Sequence, residues 1–183
     1  FEIAKAAANL GAEVILISGP THQKVDHNLI NVISVTSANE MYDAVHEYYN
    51  NVDVAIFSAA VSDYKPKKFA TKKIKKSCEA LSIDLEKTQD ILESCGKTKQ
   101  NQILVGFALE TNNELENAID KLNRKNLDLI VLNSLNDKGA GFGGSTNKVT
   151  IIDKDQNSNS YQLKSKSEVA NDIVSEILNQ YNA

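Results

Sequence analysis

The chain has 183 residues, a net charge of −4 at neutral pH and 42% hydrophobic residues. This length fits one globular domain, and no stretch approaches the ~20 apolar residues that a membrane-spanning helix needs. The negative charge argues against a domain that binds nucleic acid over its whole surface. No leader with a basic and then an apolar part opens the chain, so a cytoplasmic location is expected.

Helical and strand patterns alternate along the chain. Strands are predicted from short apolar runs, several of them continuous and therefore typical of buried strands in a parallel sheet. They cover residues 14–17, 31–35, 52–60, 103–107 and 127–132. Helices are predicted between them, and three begin with the spacing of a capping box. The capping pairs are Ser37 with Glu40, Thr111 with Glu114, and Ser165 with Glu168.

The remaining segments carry weaker patterns. Residues 64–80 are predicted to form a lysine-rich loop, followed by an extra strand at 81–85 and a short helix that starts near Thr88. The runs 149–152 and 161–164 bracket a polar turn and predict an antiparallel hairpin. The buried helix faces are predicted to include Ile3, Ala7, Leu10, Leu115, Ala118, Leu122, Ile173, Ile177 and Leu178.

Strands that alternate with helices predict an α/β fold. The expected architecture is a Rossmann-like, mostly parallel sheet with helices on both faces, plus a small antiparallel hairpin or arm. Residues 1–183 are expected to form a single domain. In such sheets ligands bind beyond the carboxyl ends of the strands. Attention therefore falls on Gly19, on residues 59–63 and 107–110, and on Asn133.

The stretch after the third strand has the most informative composition. Small residues at a strand end, here Ala59 and Ala60, let a planar base or a phosphate approach the backbone. Asp63 can accept hydrogen bonds from hydroxyl or amino groups. Residues 65–76 contain seven lysines, which repel one another unless solvent or an anion compensates. A polyphosphate is a natural anion for them.

Composition alone leaves two other interpretations of this segment open. It can be an ordinary solvated surface loop. It can also be an edge that binds RNA without sequence preference, although Tyr64 and Phe69 are the only aromatic residues beside the lysines. Cys78 and Cys95 have no His or Cys partner at ligand spacing, so no zinc site is predicted.

Several motifs, in order over nearly the whole chain, resemble the phosphopantothenoylcysteine synthetase family. They are Ala59-Ala60-Val61-Ser62-Asp63-Tyr64, Lys73-Ile74-Lys75-Lys76, Asp90-Ile91-Leu92, Gly106-Phe107-Ala108-Leu109-Glu110-Thr111, Lys121 to Ile130, Gly141-Phe142-Gly143 and Asn147. Agreement of many motifs in register is far more specific than any one of them. One departure is Gln89, where the family usually has Pro; Pro at a first helical turn only pre-organises the backbone.

The resemblance implies a CTP-dependent ligase of coenzyme A synthesis. The carboxylate of 4'-phosphopantothenate would attack the α-phosphate of CTP, and L-cysteine would then displace CMP from the acyl-cytidylate. Mg²⁺ would accompany the phosphates, although no protein ligand for it is predicted. FMN would belong only to a fused decarboxylase domain that is not part of this chain. The resemblance also implies a homodimer, with residues 77–87 and 149–164 as candidate contacts, and no nucleic-acid or membrane partner.

The family's functional positions transfer to a defined set of residues. Lys73 is the catalytic candidate, and the CTP-contacting candidates are Ala59, Ala60, Asp63, Lys73, Gln89, Asp90, Ile91, Leu92, Phe107, Lys121 and Lys125. Lys121 and Lys125 lie four apart, hence on one helix face. An ordinary solvated face is the alternative for both. Phe107 is predicted to end a buried strand, where simple core packing is the alternative.

The resemblance implies that the family's first strand and first phosphate loop are absent from this chain. That strand would lie mid-sheet, between the strands at Val14 and Val52. The loop would hold phosphate at a helix N-terminus. A non-catalytic remnant, or a nucleotide-binding subdomain without activity alone, is therefore the alternative to a working ligase.

Overall fold

A computed structural model describes residues 1–68, 70, 72–73, 81–134 and 144–182. Its helices are α1 Glu2–Asn9, α2 Ala38–Tyr48, α3 Ile91–Thr98, α4 Glu114–Arg124 and α5 Lys166–Tyr181, with a 3-10 turn at Tyr49–Asn51. Its strands are β1 Val14–Ser18, β2 Ile30–Ser34, β3 Val54–Phe57, β4 Tyr64–Pro66, β5 Leu85–Lys87, β6 Ile103–Glu110, β7 Leu129–Ser134, β8 Thr146–Asn147, β9 Val149–Asp153, β10 Ser158–Ser160 and β11 Lys164–Ser165. The sequence motifs at 74–76 and 141–143, and Cys78, lie outside the described residues.

The central sheet has the strand order β10-β9-β7-β6-β3. β3, β6 and β7 are parallel, while β9 and β10 run antiparallel at one edge. β1 and β2 form a separate parallel pair. The predicted α/β class with a mostly parallel sheet is confirmed. Within the described chain, no helix is long and apolar enough to cross a membrane.

Side chains alternate between the two faces of the sheet and create two cores. Leu104, Ile130 and Ile152 face α2, α3 and α4, where Ile91, Cys95, Ala118 and Leu122 cover them. Val105, Val131 and Ile151 face the other side, where Val169, Ile173 and Ile177 of α5 pack. α1 packs on α5 through Ala6, Ala170 and Val174. Because both faces are covered, the central strands are apolar runs instead of alternating sequences.

β1 and β2 form a sheet of their own, separate from the five-stranded sheet. β3 is hydrogen-bonded to β6 and stands at the edge of the five-stranded sheet, whereas β1 is paired with β2. The β1–β2 pair is apolar but incompletely covered, with Ile15 and Val32 both exposed. The described residues thus leave one side of β1 and one side of β3 without a strand partner.

Of the three predicted capping boxes, one forms completely, one forms in part and one does not form. Ser165 and Glu168 form the full capping box. Ser37 accepts from the Glu40 amide, but the Glu40 carboxylate turns to the amide and hydroxyl of Thr36. The box predicted at Thr111 is wrong, because the residue before α4 is Asn113, at φ 46 and without a side-chain cap. A left-handed Asn sets the entry of this helix instead.

Two strand predictions need correction. The segment predicted as lysine-rich loop contains β4, which pairs with β5, and β5 begins at Leu85 where the predicted strand ends. β9 pairs with Ser158–Ser160 ahead of the predicted partner 161–164, although the Tyr161 amide still donates to the Val149 carbonyl. The reason is a tight turn in which Asp153 Oδ1 accepts from the amides of Asp155 and Asn157, both at 2.9 Å.

Three residues predicted on buried helix faces are exposed. Leu10 lies beyond the last turn of α1, where Gly11 at φ 94 redirects the chain. Leu115 lies in the first turn of α4, ahead of the buried Ala118 and Leu122. Leu178 lies next to the buried Ile177 but points away from the face defined by Ile173 and Ile177.

Candidate functional site

The predicted small-residue segment follows β3 at the carboxyl edge of the sheet. β3 ends at Phe57, earlier than the predicted end at residue 60, so Ala59 and Ala60 lie in an irregular segment. Both alanines and Asp63 are exposed. Their backbone and the Asp63 carboxylate are therefore accessible to a ligand at the position that open parallel sheets use for binding.

Thr88 fastens this segment to the start of α3. Its amide donates to the Asp63 carbonyl at 2.9 Å, and its hydroxyl donates to the Ser62 carbonyl at 2.6 Å. The exposed Gln89 follows directly. Thr88 thus joins two of the predicted binding segments, 59–63 and 89–92. The sequence did not single it out, because its partners lie 25 and 26 positions away.

Asp90 is the N-cap of α3. Its Oδ1 accepts from the Glu93 amide at 2.8 Å, which satisfies one of the free donors of the first turn. The helix therefore starts at Ile91, three residues after the predicted start. Ile91 is buried in the core and Leu92 packs against it. The Ile91 side chain is therefore closed to a ligand, whereas the Leu92 side chain is half-buried.

Lys125 is the buried cation of an ion cluster whose two carboxylates are partly exposed. Its ammonium donates to Asp90 Oδ2 and, at 2.7 Å, to Glu93 Oε2. Burial alone would lower the pKa of Lys125, but the hydrogen bonds to both carboxylates raise it. The solvated helix face that was the alternative for Lys125 is thus wrong, since its side chain is only 5% exposed.

Lys121 joins α4 to β6. Its ammonium donates to the Phe107 carbonyl at 2.7 Å. Burial lowers the pKa of Lys121, and the carboxylates of Glu110 and Asp90 oppose that shift. Phe107 does not end the strand as predicted, because β6 continues to Glu110. The Phe107 ring packs against the core beneath α5, so only its carbonyl meets Lys121.

Lys73 stands apart from the other predicted residues. It is exposed, and among the described residues no hydrogen bond or ion pair joins it to them. Lys65, by contrast, contacts Asn39 at 3.2 Å and Glu86 at 3.6 Å. The structure thus brings Asp90, Lys121, Lys125 and the Phe107 carbonyl together, with Asp63 linked through Thr88. It shows no such contact for Ala59, Ala60 or Lys73.

Sequence reasoning missed Glu93 as well as Thr88. The signal for Glu93 was present, because it lies three residues after Asp90 and four before Lys97, the spacings of a helix cap and of a surface ion pair. Glu93 Oε1 indeed accepts from Lys97 at 2.6 Å. Its contact with Lys125, 32 residues away, has no local signal.

Two other features lie outside this cluster. A cavity of about 660 Å³ opens at the carboxyl ends of β6 and β7, lined by Asn112, Ser134 and Lys148 among others, and none of the predicted site residues lines it. In the described part of the chain, no group of three or more His, Cys, Asp or Glu side chains is placed to hold a metal ion.

Comparison with known proteins shows which family and which proteins the chain is similar to. The model of the DNA/pantothenate metabolism flavoprotein C-terminal domain family matches residues 1–181. The coenzyme A biosynthesis bifunctional protein CoaBC of Bacillus subtilis is 44% identical over 177 residues, which are 97% of this chain and 44% of that protein. A prokaryotic protein named cysteine/cysteine sulfinic acid decarboxylase is 52% identical over 177 residues, 96% of this chain and 49% of that protein.

Solved structures of two similar proteins have the same fold as this chain. The crystal structure of the C-terminal domain of a CoaBC bifunctional protein superimposes with a TM-score of 0.82 at 40% identity, covering 99% of this chain and 81% of that one. A DNA/pantothenate metabolism flavoprotein from Streptococcus pneumoniae reaches the same score at 21% identity, covering 98% and 86%. The chain spans about half the length of the curated relatives it matches. The family expected from the sequence motifs is confirmed: the chain belongs to the DNA/pantothenate metabolism flavoprotein C-terminal domain family.

Proposed function

We propose that this domain joins 4'-phosphopantothenate to L-cysteine at the expense of CTP. The observation that carries the proposal is the cluster of Asp90, Lys121, Lys125 and the Phe107 carbonyl at the sheet edge. These four positions are all family CTP positions, yet they are spread over 36 residues of sequence. The relatives named CoaBC support the pathway, since their name places them in coenzyme A biosynthesis.

The proposed reaction has two steps. The carboxylate of 4'-phosphopantothenate attacks the α-phosphorus of CTP, so that a C–O–P bond forms and pyrophosphate leaves. The amine of L-cysteine then attacks the acyl carbon, the amide bond forms, and CMP leaves with the electrons of the broken C–O bond. A carboxylate is a poor acyl donor until it carries such a leaving group. The domain's contribution is positioning and charge stabilisation.

Individual residues have distinct parts in this proposal. Lys73, exposed and without a carboxylate partner among the described residues, neutralises the triphosphate. The exposed backbone of Ala59 and Ala60 admits the nucleotide, and Asp63 accepts from its hydroxyl or amino groups. Mg²⁺ would accompany the phosphate oxygens of CTP, which are its usual ligands at nucleotide sites.

We also propose that a further strand fills the gap between β1 and β3. One side of β1 and one side of β3 have no strand partner among the described residues, and backbone donors and acceptors inside a sheet need such a partner. The exposure of Ile15 and Val32 fits a sheet that continues. The family's first strand and its phosphate loop supply this element, which would place a helix N-terminus near the nucleotide phosphates.

The arm formed by β4, β5 and residues 81–84 is the proposed homodimer contact. Leu81, Ile83 and Leu85 are all exposed and stand at alternate positions of the chain. Such an apolar row marks an association site. The hairpin of β9 and β10 is less suited, because Ser158–Ser160 is exposed and polar.

The decarboxylase name of one relative favours a second candidate function. This chain spans only 49% of that protein, so the named activity can belong to its other half. If FMN is used, we propose that it binds to a fused decarboxylase domain and not to this domain. Release of CO₂ from cysteine or cysteine sulfinate by residues 1–183 would favour the second candidate.

Calorimetric titration with CTP, ATP and a short RNA tests the nucleotide assignment. We expect CTP to bind more tightly than ATP and RNA to bind negligibly. Binding of RNA in preference to CTP would refute the ligase proposal and support the nucleic-acid alternative. Absence of binding to any nucleotide, with the preceding segment restored, would support the non-catalytic remnant.

A further inference from the structure

Lys125 is held between two carboxylates of which the family assignment uses only one. Asp90 belongs to the predicted site, while Glu93 does not. Both accept from the Lys125 ammonium, and the Lys125 side chain is almost wholly buried. Gly96 belongs to α3 as Glu93 does, and the carbonyl of Lys125 lies against it. α3 therefore contacts Lys125 through both the backbone and the side chain of the lysine.

The positive charge of Lys125 is balanced by the carboxylates of Asp90 and Glu93. Hydrogen bonds from Lys125 and Lys97 lower the pKa of Glu93 to about 2. Burial would raise the pKa of Asp90, but the bond from Lys125 brings it below its ordinary value. Both carboxylates are therefore ionised at neutral pH around one buried ammonium. Two other lysines lie near these carboxylates. Lys121 donates to the Phe107 carbonyl, and Lys97 has a side chain that is 72% exposed, so water screens its charge.

The donor inventory of Lys125 leaves one N–H for a ligand. An ammonium group has three donors. Two are taken by Asp90 and Glu93, and the third has no partner within the described residues. Because two bonds fix the ammonium, the third N–H has a fixed direction. A phosphate would have to approach two ionised carboxylates to reach it, whereas an uncharged oxygen meets no such repulsion.

We propose that Glu93 is a positioning residue of the nucleotide site, which together with Asp90 aims the last N–H of Lys125 at an uncharged oxygen of the base or ribose. Lys125 then recognises the nucleoside, and the contact with phosphate belongs to exposed cations such as Lys73. This inference rests on the proposed function, because it assumes that CTP occupies the site.

Glu93→Gln is the variant that tests this role with least risk to folding. It keeps the shape of the side chain and removes its charge, and Glu93 is partly exposed. Lys97→Gln is the matched control, because Lys97 contacts the same carboxylate from the solvent side. Titrations of CTP and of inorganic tripolyphosphate, each at low and at high salt, separate nucleoside contacts from phosphate contacts.

We expect Glu93→Gln to weaken CTP binding about 5- to 10-fold, as loss of a well-placed hydrogen bond from a charged donor would. The factor should be the same at both salt concentrations, and tripolyphosphate binding should be unchanged or tighter because a negative charge is gone. Lys97→Gln should bind both ligands like the wild type. The melting temperature of each variant would be measured in parallel. A loss of stability would weaken the binding of both ligands, so it should not explain a loss confined to CTP.

Three results overturn the inference. CTP affinity that is unchanged or increased in Glu93→Gln would show that Glu93 does not position Lys125. Equal weakening of CTP and tripolyphosphate would show that Lys125 serves phosphate. If the wild type bound no CTP, the proposed function would fail as well, whereas the first two results leave that function intact.

Discussion

The backbone of Gly96 lies directly against the carbonyl group of Lys125. A Cβ on Gly96 would stand 2.0 Å from the Lys125 oxygen and 3.0 Å from its carbonyl carbon. Asn126, at φ 54, follows and donates its Nδ2 to the Gly96 carbonyl at 2.9 Å. The last turn of α3 and the end of α4 thus meet backbone to backbone, and from this contact the Lys125 side chain reaches Asp90 and Glu93 at the start of α3.

Gly96→Ala should therefore destabilise the domain although it improves a helix. Alanine in a helix normally gains up to about 1 kcal/mol over glycine. Here the clash is with backbone, which cannot rotate away, so we expect a net loss of about 2–3 kcal/mol in the free energy of unfolding. Urea denaturation measures it. Gly106→Ala is the control, because its new Cβ would meet mainly side-chain methyls of Leu127 and Leu92, and it should cost less. If Gly96→Ala left the free energy of unfolding unchanged, the contact would be disproved.

Glu93 gives the cluster a defined pH dependence. Its pKa is lowered from the ordinary 4.5 to about 2, first by the hydrogen bond from Lys125 and then by that from Lys97. A carboxylate with a depressed native pKa stabilises the fold fully above its unfolded pKa, and loses that contribution as pH falls from about 4.5 to 2. The stability difference between wild type and Glu93→Gln should be full at pH 7 and vanish near pH 2. A difference that stays constant over this range would contradict the ion pair.

Lys73→Gln should weaken triphosphate binding. Its loss removes one charge-assisted contact, and we expect CTP affinity to fall about 10-fold, with the effect shrinking as salt is raised. Calorimetry measures both. Lys72→Gln is the matched control, since the neighbouring lysine is also exposed but lies outside the motif Lys73-Ile74-Lys75-Lys76. Equal losses in the two variants would reduce the role of Lys73 to a share of general positive charge.

Ile83→Lys should dissociate the proposed dimer. Ile83 stands in the middle of the exposed row with Leu81 and Leu85, and a buried unpaired lysine would be costly there. Light scattering coupled to gel filtration reports the mass. Leu178→Lys, at another exposed leucine, should leave the wild-type mass unchanged. A monomeric wild type, or a dimeric Ile83→Lys, would remove the arm as the contact.

The sequence predicted the fold well where one local pattern decides the structure. The strands of the central sheet are continuous apolar runs, and Ser165 with Glu168 marks the start of α5 through contacts three residues apart. It failed at the local capping box of Thr111, where a left-handed Asn113 precedes the helix, and it failed where a distant partner decides. β4 lies in a lysine-rich run without apolar alternation, and it is a strand only because β5 pairs with it. The Thr88 and Glu93 contacts likewise depend on chain segments more than 20 residues away.

Production of pyrophosphate tests the central claim most directly. The domain joined to the proposed further strand and phosphate loop would be incubated with CTP, Mg²⁺, 4'-phosphopantothenate and L-cysteine, and pyrophosphate and CMP would be followed together. We expect pyrophosphate release to require 4'-phosphopantothenate and not cysteine, while CMP release requires both, and we expect residues 1–183 alone to show little turnover. Pyrophosphate release that is indifferent to 4'-phosphopantothenate, or CO₂ release from cysteine without nucleotide consumption, would contradict the proposed ligase.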